Sequence, residues 1–134
     1  MENSYHSFED LLIWQESMDL CMNIYDALQE CHDFGLRNQM ERSSVSIPSN
    51  IAEGFELSTN RAFVRHLYIS KGSSGELRTQ LYIAIKRHYI SPDLGNELVS
   101  KARKIAGMIQ NFIVARKKRN RLLLLKIILP FLPF

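Results

Sequence analysis

Little in this sequence breaks helices. Only four prolines and six glycines fall in 134 residues, with a single tryptophan, which argues against a turn-dense β protein and against low-complexity disorder. Cysteine is equally sparse. Cys21 and Cys31 stand ten residues apart, off any common helix face, and form no CxxC pair, so they read as reduced thiols and not as a disulfide framework or a zinc site. His6, His32, His66 and His88 occupy separate segments without an HxxxH or HExxH array, and no ExxH exists to build a di-iron bundle. No metal and no cofactor is expected. Gly72-Ser-Ser-Gly75 lies inside a helical pattern and neither of its serines neighbours a histidine, which disfavours phosphate-loop and nucleophilic chemistry. The chain is therefore expected not to be an enzyme. Residues 1–6 lack the basic, apolar and small-residue succession of a secretory signal, and no run before the C-terminus offers the ~20 apolar residues of a membrane span. A reducing cytoplasm is the expected compartment.

Acid is missing from one part of the chain altogether. Residues 1–100 hold eight Lys/Arg and all fourteen Asp/Glu, a net −6, whereas residues 101–134 hold nine Lys/Arg and no acid, a net +9. Such asymmetry points to a polyanionic partner, nucleic acid or an anionic membrane surface, with a solvated basic face as the plain alternative.

What is present is helical periodicity. Ser7 with Asp10 three residues on resembles a capping box and predicts the start of a first helix, whose seam is Leu11, Trp14, Met18, Cys21, Tyr25 and Leu28. On that spacing Trp14 and Tyr25 are core residues. Gly35 is expected to end this helix through a positive φ. A third helix shows unbroken steps of four and three through Phe63, Leu67, Ser70, Ser74, Leu77, Leu81, Ala84 and His88. Gly72 and Gly75 within it suggest close backbone packing. Ser91-Pro92-Asp93 opens a fourth helix with the seam Leu94, Leu98, Ala102, Ile105, Ile109 and Phe112. Four amphipathic helices with short connections make an all-α, up-down-up-down antiparallel four-helix bundle. One domain is expected over residues 1–121, followed by an apolar tail over 122–134.

The second helix, residues 36–55, carries serines, a proline, an asparagine and a glycine that disfavour helix. Steps of 100° place Leu36, Met40, Ile47 and Ile51 on one apolar arc, beside a polar stripe of Gln39, Ser43, Ser46, Asn50 and Glu53. With Arg42, and with Glu76 on the third helix, this stripe is expected to form an interhelical or intersubunit polar seam facing the small residues of the third helix. Pro48 removes a donor and predicts a kink or break, with nearby serines available to the freed carbonyl. Glu53 and Glu76 read as helix-end or interhelical partners of Arg42, Gln39 or Gln80, or as lining of a polar ligand pocket.

The tail, Leu-Leu-Leu-Leu-Lys-Ile-Ile-Leu-Pro-Phe-Leu-Pro-Phe, is too short to span a bilayer and too apolar to be left in water. It should lie against its own bundle, against a neighbouring subunit, or at a membrane surface behind the basic run. The candidate nucleic-acid contacts are Lys101, Arg103, Lys104, Arg116, Lys117, Lys118, Arg119 and Arg121, on or after the fourth helix. A protein-binding adaptor is the alternative function.

The run Ser46-Ile-Pro-Ser-Asn-Ile-Ala-Glu-Gly54, with Gln39 and Arg42 before it and Leu67, Lys71-Gly-Ser, Glu76-Leu77 and Thr79-Gln80-Leu81 after it, resembles the bacterial 23S rRNA intervening-sequence protein family, also called S23-type or four-helix bundle proteins. The resemblance spans residues 8–112. It implies an antiparallel four-helix bundle assembling into a homo-oligomeric ring, a pentamer, without enzymatic activity. In some members the gene lies within an insertion in the large-subunit rRNA gene. A related bundle is the accessory protein of diversity-generating retroelements, which implies a reverse transcriptase and nucleic acid as partners. Ser74-Gly75 stands where that pattern has Leu-Ala, Arg78 stands where an acid is common, and the tail lies outside the pattern.

Overall fold

The computed structural model describes residues 5–133; residues 1–4, and residue 134 at the end of the tail, lie outside them. Among the described residues the regular structure is helical: a 3-10 turn Phe8–Asp10, then α1 (Leu12–Ala27), α2 (Phe34–Glu56), α3 (Asn60–Lys86) and α4 (Pro92–Ile128), and a closing 3-10 turn Leu129–Phe131. Each helix packs on its two neighbours, α1 on α2, α2 on α3, α3 on α4 and α4 back on α1, while the diagonal pairs do not meet. Cross-helix bonds give the direction. As α3 advances from Asn60 through Lys71 to Ser74, its partners on α4 retreat from Arg116 through Gln110 to Ala102. The architecture is the expected up-down-up-down bundle.

The four-and-three seam of α3 forms its core face: Phe63, Leu67, Ser70, Ser74, Leu77, Leu81 and Ala84 are all buried. Its last member, His88, is not. It lies beyond the helix at φ 61° and is exposed. The helix closes there in a Schellman turn, with Tyr89 N–H donating to Ala84 O (2.9 Å) and His88 N–H to Ile85 O (3.0 Å). Met40, Ile47 and Ile51 of α2 are fully buried, as are Leu98, Ala102, Ile105 and Ile109 of α4.

Four local expectations need correction. The Ser7–Asp10 pairing caps the 3-10 turn and not α1, because Leu11 turns extended (ψ 124°) and buries its side chain before the helix begins. Leu11, Cys21 and Leu28 of the expected seam are buried, but the rest of the buried face of α1 is Ile13, Ser17, Leu20 and Ile24, so Trp14 and Met18 sit at the rim and Tyr25 is exposed. Gly35 does not end a helix. It lies in the first turn of α2, which Asp33 caps by accepting from Leu36 N–H (3.1 Å), and no described glycine has positive φ. The close helix crossings are at other glycines: a Cβ on Gly54 would stand 2.6 Å from His66 Cβ, and one on Gly95 would overlap Ile85, whereas Gly72 has open space and Gly75 only a distant arginine.

Pro48 is absorbed within α2, which continues to Glu56. The serines before it donate elsewhere, Ser43 to Gln39 O (2.9 Å) and Ser44 to Glu41 O (2.8 Å). Across the interface Ser70 donates to Ile47 O (2.8 Å).

Candidate nucleic-acid interface

α4 outruns the bundle. Ile113 is its last buried residue, and from Val114 to Ile128 every side chain is exposed except the half-buried Arg116. At this exit α4 meets the start of α3, where Asn60 donates to Arg116 O (3.1 Å). A cleft of about 360 Å³ opens there, lined by Tyr5, Phe55, Ser58, Thr59, Asn60, Phe63, Arg116, Arg119, Asn120 and Leu123. None of these is acidic.

Aromatic rings hold the cations in place. The Arg116 guanidinium lies 4.9 Å from the Phe63 ring centre and 5.4 Å from that of Phe112, and these rings pack edge to face at 5.6 Å. Burial, then the neighbouring charge of Arg119, pushes the Arg116 pKa down from its ordinary value; the group starts high enough to remain a cation. Lys117 Nζ donates to the Tyr68 hydroxyl (2.7 Å) and lies 4.9 Å from that ring's centre. The Oδ1 of Asn60 is buried without a hydrogen-bond partner among the described residues. The α3 start adds oriented backbone: Thr59 Oγ1 takes Ala62 N–H (3.2 Å), and Ser58 is held at φ 63°. A cationic plane on an apolar base, rimmed by hydroxyl and amide groups, suits a phosphate with a stacked base.

The other predicted cations are placed differently. Lys101 pairs with Glu97 (3.5 Å), Lys104 approaches Glu16 (4.0 Å) and Arg103 reaches the Tyr82 hydroxyl (3.3 Å). They lie about 18 Å or more up the helix from Arg116. Lys118 and Arg121 are exposed; steps of 100° put them on the side of α4 away from Arg116, Arg119, Asn120 and Leu123. The predicted basic set is thus divided into a partly neutralised group and a group at the exit.

The polar stripe divides as well. Ser46 Oγ meets Ser73 Oγ at 2.8 Å, and Asn50 Nδ2 donates to Ser46 O (2.9 Å) and Oγ (3.0 Å). Asn50 Oδ1 lies 3.0 Å from His66 Nδ1, with the Glu53 carboxylate 3.9 Å from the same nitrogen. Ser46, Asn50 and Glu53 therefore join α3, and Ser43 is buried. Gln39 and Arg42 stay exposed on the outer surface of α2, and Glu76 accepts from Gln80 of its own helix (3.4 Å). Sequence reasoning missed His66, Ser73, Tyr5, Phe55 and Asn60. The first two stand seven residues apart, two helical turns along the α3 face that meets α2; the others come from three separate segments and give no local signal. A second groove, about 380 Å³ and mainly apolar, runs between α1 and α2 past Trp14, Met18, Met22, Tyr25, Val45 and Pro48. No cluster of three His, Cys, Asp or Glu side chains able to hold a metal exists among the described residues.

The helix order and closed neighbour packing define an antiparallel four-helix bundle with an extended basic fourth helix. Its family is also defined: the sequence model of the 23S rRNA-intervening sequence protein family matches residues 9–111, and the chain belongs to that family. A similar solved structure is that of a protein with unknown function from the S23 ribosomal protein family of Bacteroides thetaiotaomicron, 21% identical, TM-score 0.72, covering 76% of this chain and 98% of that one. No curated protein matches the chain. The family match ends before the exit of α4 from the bundle.

Proposed function

We propose that this chain is a non-catalytic bundle that assembles with copies of itself and binds RNA, rRNA or its precursor, at the α3–α4 cleft and the cations of residues 116–121. The cleft carries the reading. Its lining contains two arginines and no acid, and Arg116 is fixed on aromatic rings, so part of the ordering cost is met before an anion arrives. Family membership gives the reading its RNA class. If five cations of 116–121 neutralise phosphates, log affinity should fall by about 3.5 per decade of salt for a single strand and about 4.5 for a duplex. Failure to retain RNA at low salt would remove the proposal. Solution mass with and without RNA tests self-assembly in the same experiment, a pentamer being the state the family resemblance implies. The proposed setting is the cytoplasm.

The apolar α1–α2 groove favours a second reading, an adaptor that docks a protein there, a reverse transcriptase being the partner class the resemblance suggests. On that reading, charge reversal across 116–121 leaves partner capture unchanged.

A further inference from the structure

From the rim of the cleft, where Leu123 sits, onward, α4 presents Leu122, Leu123, Leu124, Leu125, Ile127 and Ile128, then Leu129, Phe131 and Leu132, all exposed. The expectation that the tail packs on its own bundle is not met. We infer that this segment inserts into one leaflet of an anionic lipid bilayer, with Lys118 and Arg121 at the headgroups. Three features select this occupant. At 100° per residue, 122–125 and 127–129 surround the helix with apolar side chains. A second copy would cover one stripe and leave the rest wet, whereas lipid covers every side. Next, residues 122–131 reach about 15 Å, close to half of the ~30 Å hydrocarbon core; no described helix is long and apolar enough to cross a membrane. Finally, the cations preceding the segment match anionic headgroups, no acid follows Glu97 to repel them, and Lys126 is long enough to reach back toward the interface.

This inference is tested apart from the RNA reading by changes confined to residues beyond Leu123, which leave all five cations of 116–121 in place. The test is flotation of the full chain with phosphatidylcholine vesicles, with and without phosphatidylglycerol. The full chain should float with phosphatidylglycerol present and fall about tenfold or more without it, and the double variant Lys118→Ala/Arg121→Ala should fall about as far. Truncation after Leu123, which keeps every cleft residue, should abolish flotation, as should Leu125→Asp with Ile128→Asp in the full-length chain. These variants alter nothing buried, so they fold, and the truncated chain and Leu125→Asp/Ile128→Asp keep all five cations of 116–121, so their RNA retention reports the RNA reading independently. The inference is overturned if the full chain stays at the bottom with anionic vesicles, or if the truncated chain floats equally. It is also overturned if truncation lowers the solution mass of a chain that never floats, which would make the tail a contact between copies.

Discussion

The two halves of α4 are one continuous helix with opposite tasks. From Pro92 to Ile113 it follows the rule of an amphipathic bundle helix: a buried stripe of Leu98, Ala102, Ile105, Ile109 and Ile113, with charges outside. From Val114 onward it has no fully buried side chain, although Arg116 and Lys117 still reach α3, and its sequence changes to cations and then to leucines around the whole circumference. Helix formation needs only local propensity and a continuing hydrogen-bond ladder, which Leu, Lys and Arg supply. Stability needs a partner surface, which only the first half has within the chain. The second half of α4 thus leaves its side chains exposed without altering the bundle.

Mutations that treat the halves alike should give the largest contrast. Ile109→Asp puts a carboxylate at a fully buried site and should cost about 4 kcal/mol or more in urea unfolding, whereas Leu125→Asp on the exposed half should stay within about 0.5 kcal/mol. Glycines sharpen the same division between packed and open surface. Gly54→Ala forces a Cβ to 2.6 Å from His66 Cβ and should destabilise by about 1–3 kcal/mol. Gly72→Ala meets nothing within 4 Å and should raise stability by up to about 1 kcal/mol, visible as a higher urea midpoint. A smaller gain, about 0.5–1 kcal/mol, is expected from His88→Gly, which relieves a positive φ of 61°. On the binding side, Arg119→Ala should lower the RNA salt slope by about 0.7–0.9, while Lys101→Ala, already paired with Glu97, should leave it unchanged.

The sequence made α3 legible because burial there follows one rule, a four-and-three step carried by small and aliphatic residues from Phe63 to Ala84. It misled on α1, where two faces share nearly the same period. The aromatic seam through Trp14 and Tyr25 competes with Ile13, Leu20 and Ile24, and it is the aliphatic face, with Ser17 donating to Trp14 O of its own helix, that goes inward. The small-residue stripe of α2 signalled its contact with α3, but residue type alone does not say which glycine lies at a crossing, so Gly72 and Gly75 were favoured over Gly54 and Gly95. The charge count located the end of α4 as the basic region. It did not reveal the cleft, whose walls come from the start of the chain, the end of α2, the start of α3 and the exit of α4.

The most direct test of this division is the affinity for single-stranded RNA across a salt series, for the full chain and for Arg116→Ala/Arg119→Ala. The account predicts binding at low salt with a log–log slope near −3.5, reduced by about 1.4 in the double variant while that variant stays folded across the salt series. RNA affinity with equal slopes in both chains, or none at low salt, would contradict it.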